Sequence, residues 1–182
     1  MRFLTKVRNA FQSPTDRLLE KLQLTRKPTP ALPQKLTKTQ ARILQATIER
    51  GEIIGGSFAQ KVLYPQARPF KDIDIISKNP HMTAKYISSQ IKIPVSTEPG
   101  RHGKYIIKSR LSGKVLADVV PTKFYEKYIK EYGKIPHYEI EGVKVLKEDI
   151  LYREKKGAIR HGNPRIRQKN IADIKYLSQP SL

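Results

Sequence analysis

Between Leu36 and Leu177 the apolar positions follow two periods, and the changes from one to the other divide the chain into elements. Thr37 and Gln40 stand at capping-box spacing, and Ile43, Leu44 and Ile48 then recur as on one helix face up to Gly51. Residues 52–54 read as a short strand, 57–63 as a short helix, and 64–71, with Pro65 and Pro69, as a loop. From Asp72 to Ser77 the period becomes two, so Asp72 and Asp74 project to one side of a strand while Ile73 and Ile75 project into a core. A helix is predicted over 80–90 with Met82, Tyr86 and Ile87 on its apolar side, then a strand over 91–95. Residues 104–108 and 114–120 read as two strands around Ser112-Gly113, a common hairpin connection. The chain then reads as helical from Pro121 to Tyr132 and as a small hairpin over 138–145 around Glu141-Gly142. Two helices close the pattern, over 148–160 and 165–177, parted by His161-Gly162-Asn163-Pro164. Their predicted buried sides carry Ile150, Leu151 and Ala158 in the first, and Ile166, Ile171, Ile174 and Leu177 in the second.

Three places in this pattern carry chemistry. Gly55-Gly56-Ser57 sits between a strand and a helix, where glycines let the backbone approach a polyphosphate and the helix start offers free N–H groups. Asp72 and Asp74 on one strand face can share Mg²⁺. In KVLADVV, Asp118 stands among residues that want burial, and a buried carboxylate needs a cation, a donor or water. Beside the Asp72 strand it would complete a three-carboxylate cluster; on an edge strand it would simply face solvent. Two metal ions held by three carboxylates suit nucleotidyl transfer, one activating an acceptor hydroxyl and the other holding a triphosphate.

Charge narrows the partners. The 182 residues contain 36 Lys+Arg against 16 Asp+Glu, a formal charge of +20, which favours polyanions, nucleic acid first and RNA as open as DNA. Lys155, Lys156, Arg160, Arg165, Arg167 and Lys169 form either a solvated face or, as the charge favours, a polyanion-binding surface beside the active site. Cysteine is absent, which excludes disulfides, thiolate zinc sites and cysteine nucleophiles. His81, His102, His137 and His161 lack metal-ligand spacing, and Tyr125, Tyr128 and Tyr132 read as packing. No apolar run reaches the roughly 18 residues a bilayer span needs, so a soluble, cytoplasmic protein with no membrane partner is expected. Residues 1–35 read as a basic, Pro-containing tail and linker: Arg2, Lys6 and Arg8 are unopposed by acids, 16–24 could form one amphipathic helix, and KPTPALP is stiffened by three prolines. A solvated tail, a nucleic-acid-binding arm and a targeting segment are all compatible with it.

IIGGSFA, RPFKDIDI, LADVV and VLKEDILYREKKGAIRHGNPRIRQKNIADIKYL together resemble the minimal nucleotidyltransferase pattern of the DNA polymerase β superfamily. Within that superfamily the pattern is most similar to the abortive-infection type toxin nucleotidyltransferases, which join a Gly-Gly-Ser/Thr turn, an Arg-Pro-Thr-x-Asp-x-Asp-like segment and a Leu-x-x-x-Lys-x-x-Ala helix. The resemblance implies an α/β (α+β) domain over residues 36–178, with a mixed sheet, flanking helices and a helical C-terminal part. It also implies Mg²⁺-dependent transfer of a nucleoside monophosphate from a nucleoside triphosphate to RNA, tRNA-like in kind, or to protein. By position, its phosphate turn falls on Gly55, Gly56 and Ser57, and its metal carboxylates on Asp72, Asp74 and Asp118. Its phosphate-contacting helix lysine falls on Lys155 or Lys156, the latter lying closer to the apolar stripe through Ala158. Arg68 matches the arginine ahead of the aspartate pair and Asp173 the later acid, whereas Phe70 and Asn170 depart from the usual hydroxyl residue and aspartate. Two other readings stand beside this one: a non-catalytic nucleic-acid-binding or assembly protein that keeps the fold, and the toxin of a pair whose acidic antidote covers the basic face.

Overall fold

The computed structural model describes residues 29–160 and 163–177. The predicted basic segment at the N-terminus and the helix over 16–24 lie outside the described residues, as does His161. The end of the linker is held to the domain: Ala31 N donates to Val62 O at 3.1 Å, Leu32 N to Glu141 Oε1 at 3.3 Å, and Leu32 and Leu36 pack against the core.

Helix α1 (Lys38–Glu49) starts at the predicted capping box, with Thr37 N donating to Gln40 Oε1 at 2.9 Å and Gln40 N to Thr37 Oγ1 at 3.2 Å. It leads through Gly51 into β1 (Ile53–Gly55), which turns at once into α2 (Gly56–Leu63). Strand β2 (Ile73–Ser77) begins one residue after Asp72 and is followed by α3 (Pro80–Gln90). Strands β3 (Val95–Pro99), β4 (Tyr105–Ser109) and β5 (Val115–Pro121) come next, with a 3-10 turn, Arg101–Gly103, between β3 and β4. A second 3-10 turn, Thr122–Tyr125, precedes α4 (Glu126–Tyr132), so the predicted single helix begins as a tighter turn. The predicted hairpin is β6 (His137–Ile140) and β7 (Val143–Leu146), turning through Glu141 and Gly142 at φ 51° and 78°. Helices α5 (Glu148–Ile159) and α6 (Pro164–Leu177) follow, Asn163 Oδ1 accepting from Arg165 N at 3.0 Å at the start of α6.

All seven strands form one mixed sheet in the order β3-β4-β5-β2-β1-β7-β6. β2 is parallel to β5 and antiparallel to β1, and β1 is parallel to β7. Helices α1 and α3 pack together and on the sheet; α2 packs on β1 and β2 and also meets α5 and α6. Ile54, Phe58, Ile73, Ile75, Ile107 and Val145 are all fully buried between these elements. This is the α/β architecture with flanking helices that the sequence predicts. Among the described residues no helix is long and apolar enough to cross a membrane.

Three expectations are corrected. The strand placed at 91–95 begins only at Val95, because Pro94 has no N–H for a ladder; Pro94 O instead accepts from Arg110 N. Met82 is 49% exposed, and the buried stripe of α3 runs through Thr83, Ala84 and Ile87. Thr83 is drawn inward because its hydroxyl donates to Glu52 at 2.7 Å and meets Ser77 Oγ at 2.8 Å. On α6, Ile166 and Ile171 are 44% and 41% exposed, while Asn170, Asp173 and Leu177 are buried. That helix turns a polar face inward to meet charges on its neighbours.

Candidate active site

The sheet register assembles the predicted residues. Gly55 pairs with Asp74 across β1 and β2, and Asp74 pairs with Asp118 across β2 and β5. Residues directly opposite share a face, so Asp74 and Asp118 stand side by side, while Asp72, predicted as a strand residue, lies in the bend just before β2 and reaches the same cleft from there. Asp118 therefore belongs to an interior strand, which excludes the open-edge reading. Gly56, at φ +60°, closes the turn onto this pair: a Cβ there would lie 1.6 Å from Asp74 Oδ2. Gly55 has an ordinary extended φ of −117°, and its Cβ would meet only Ile76 and Leu146 at 3.5 Å and beyond. The strict glycine requirement falls on Gly56 alone.

Gly56, Asp72, Asp74 and Asp118 line one cleft of about 650 Å³, together with Ser57, His102, Lys104, Phe124, Tyr125, Glu154, Lys155, Lys169 and Asn170, whereas the predicted Gly55 stands outside that lining. Burial, with the charges of Asp72 and Asp118 added, pushes the Asp74 carboxyl up to about 6, against the opposing pull of Lys155 and Lys104. Asp118 is likewise raised, by burial first and then by Asp72, and its Oδ1 is buried without a hydrogen-bond partner.

A second cluster lies beside the first. Asp173, fully buried, accepts from Arg68 Nε at 2.7 Å and Nη2 at 3.0 Å, and pairs with Lys155 Nζ at 2.9 Å. Burial opposes its ionisation, yet hydrogen bonds from Arg68 and Lys155 outweigh it and hold the carboxyl below the usual range. Arg68 Nη2 also donates to Ser57 Oγ at 2.6 Å, and Gln60 Nε2 donates to Asp173 O at 2.7 Å, so α2, α5, α6 and the loop before β2 share one network.

Lys155, 8% exposed, faces the cleft; Lys156 is exposed and lies over the Tyr152 ring. The preference for Lys156 is thereby corrected, because the α5 face turned inward is the one that meets Asp173. Lys169 lines the cleft, its ammonium lowered by burial and by Arg68 and Lys155, whereas Arg160, Arg165 and Arg167 are exposed and stand outside the cleft lining. Sequence reasoning missed Lys104, Glu154 and the site role of Tyr125, whose hydroxyl donates to Glu154 Oε1. Burial, with Asp74 nearby, pushes Glu154 up to about 7 despite that hydrogen bond. Helical periodicity could mark Glu154 only as a polar position next to Lys155, so no local signal pointed to it.

The Mg²⁺ implied by the resemblance fits this donor set: hard oxygen ligands, mutual repulsion and an orphaned carboxylate oxygen are what a divalent cation relieves. Among the described residues no three or more Asp, Glu or His side chains form a ready-made metal cluster, so ligation would require the aspartates to adjust.

The mixed sheet, its register and the cleft over it define a nucleotidyltransferase-like fold. Among solved structures it is similar to the Megavirus polyadenylate synthase, with a TM-score of 0.60 and 18% sequence identity over 76% of this chain and 30% of that chain. The chain thus spans about a third of that viral protein's length, and at this identity the likeness speaks for the fold. No family model matches the chain, and no curated protein does.

Proposed function

We propose that this chain is a Mg²⁺-dependent nucleotidyltransferase, moving a nucleoside monophosphate from a nucleoside triphosphate to an acceptor hydroxyl, with tRNA-like RNA favoured over protein. The observation that carries this reading is the pairing of Asp74 with Asp118 beneath a Gly56 turn shaped around the Asp74 carboxylate. In this reading the triphosphate lies against the start of α2 at Gly56 and Ser57, its charge met by Lys155 and Lys169. Asp118 orients the acceptor hydroxyl and takes its proton. The acceptor oxygen bonds to the α-phosphorus, the bond from that phosphorus to the bridging oxygen breaks, and pyrophosphate leaves. Divalent cations bound at Asp72, Asp74 and Asp118 would supply charge neutralisation for both oxygens. Asp173 and Arg68 position Lys155 and Ser57 without touching substrate.

Within the superfamily we favour the abortive-infection toxin type, supported by the Leu151, Lys155 and Ala158 spacing and by the Lys155–Asp173 pair. An acidic antidote is the protein partner that a charge of +20 favours.

The test is incubation with Mg²⁺, each labelled nucleoside triphosphate in turn, and total RNA plus cell protein, beside an Asp72→Ala/Asp74→Ala control. Transfer by the intact site alone supports the enzyme, and the labelled band identifies the acceptor. Absence of transfer with any nucleotide, while RNA binding persists, sinks it in favour of a non-catalytic nucleic-acid-binding protein.

A further inference from the structure

The cleft has two unlike ends, and the order of strands separates them. The Gly55–Gly56 turn ends β1, Asp74 lies on β2 and Asp72 just before it, Asp118 lies on β5, and Lys104 immediately precedes β4; these strands are neighbours in that order. On the nucleotidyltransferase reading, on which this inference rests, pyrophosphate leaves toward the turn. In-line displacement then brings the attacking hydroxyl from the opposite side, past Asp118 toward β5 and β4.

That far side carries an aromatic and basic lip. Phe124, six residues after Asp118, lines the cleft and is 49% exposed, so its ring is open to a ligand there. His102 stands across from it with ring centroids 6.4 Å apart and planes at 81°. His102 also holds a left-handed backbone, φ 60° and ψ 28°, a strained state for a non-glycine residue that is often found at ligand-binding sites. Lys104 lines the same end, Lys123 Nζ lies 5.9 Å from the Phe124 ring centroid, and Arg101 is exposed in the His102 turn.

We infer that the acceptor is the single-stranded 3′ end of a nucleic acid, whose last base stacks on Phe124 beside His102 while its terminal hydroxyl faces Asp118. Two features argue for this occupant over a peptide hydroxyl. Phe124 offers a flat apolar surface that any base can cover, and the surrounding cations match a phosphate backbone. A duplex end could not supply the unstacked base this lip requires. The inference also separates the acceptor's base from the incoming nucleotide's base, since the lip lies on the attacking side.

The experiment measures binding and needs no turnover. An RNA oligomer carrying 2-aminopurine at its 3′ end, or at its 5′ end, is titrated with the wild-type protein, Phe124→Ala and Phe124→Tyr. The wild type is expected to quench the 3′ probe more than the 5′ probe. Phe124→Ala should lose that quenching and bind about tenfold more weakly, whereas Phe124→Tyr should restore both. Thermal melting checks that Phe124→Ala is folded, which its exposure predicts. Equal quenching at both ends, or an unchanged 3′ signal in folded Phe124→Ala, overturns the inference, as does transfer confined to protein. Failure of all transfer with 3′ stacking intact would instead count against the nucleotidyltransferase reading alone.

Discussion

Two buried acidic places lie on either side of Lys155, and they are built in opposite ways. Asp173 is enclosed by donors: Arg68 clamps it twice and Lys155 adds a third contact, so its charge is held and its carboxyl titrates low. Asp74 and Asp118 face each other and Asp72, titrate high, and leave one oxygen of Asp118 unpartnered. The first arrangement closes within the protein and ties three helices together. The second keeps its charges in mutual repulsion despite Lys155 and Lys104, and on the proposed reading a bound cation would relieve it. Natural sites of this kind trade stability for function.

The sharpest way to break the comparison is Asp74→Asn. It should lower nucleotidyl transfer by about three orders of magnitude, read as initial rates, yet raise the melting temperature of the metal-free protein. A destabilised Asp74→Asn would mean that the aspartates already satisfy one another. Gly56→Ala should damage transfer nearly as much, because its Cβ would occupy the space of Asp74 Oδ2 at 1.6 Å, while Gly55→Ala keeps most activity. Matching losses in the two alanine variants would remove the steric argument.

Asp173→Asn should do the reverse of Asp74→Asn. Leaving Arg68 and Lys155 without their counter-charge costs about 3 to 5 kcal/mol in denaturant unfolding. A loss under about 1 kcal/mol would show that solvent, not Asp173, satisfies the two cations.

Acid provides a smaller, signed effect. The folded Asp74 carboxyl titrates near 6 against an ordinary 3.8, so the folded state binds its proton more tightly than the unfolded chain does. The associated stabilisation is full below the ordinary value and is lost as pH rises toward 6, amounting to about 3 kcal/mol at most. Asp173 has the opposite sign: its contribution is present above the ordinary carboxylate range and is lost on acidification. Subtracting the pH–stability curve of Asp74→Asn from that of the metal-free wild type should isolate the falling component. A flat difference between pH 4 and 6 would refute it.

The smallest effect compares adjacent lysines. Lys156→Ala should change stability by no more than about 0.5 kcal/mol and leave nucleotide affinity unchanged, whereas Lys155→Ala weakens nucleotide binding in equilibrium titration. Equal loss of affinity in both would point to a diffuse basic surface rather than a placed lysine.

Features written within a few residues of one another are legible in the chain itself. The Thr37–Gln40 capping box, the Gly-Gly-Ser turn and the Glu141-Gly142 hairpin all depend on local geometry, and all are present, whereas the predicted Asp72–Asp74 strand begins only at Ile73. The α6 stripe departs from its periodicity for a related reason. Periodicity assumes that buried means apolar, and α6 buries Asn170 and Asp173 because Arg68 and Lys155 await them from distant elements. Glu154, Tyr125 and Lys104 carry no such signal, because nothing near them in the chain marks a cleft.

The sequence by itself determined the element types, the basic surplus and the two-residue carboxylate spacing, because backbone periods and side-chain charge are properties of neighbouring residues. Only the tertiary structure decided that Asp118 lies beside Asp74, that Lys155 rather than Lys156 turns inward, and that Gly56 rather than Gly55 must lack a side chain. Each of those depends on strand register or helix rotation, which is set by packing between segments far apart in the chain.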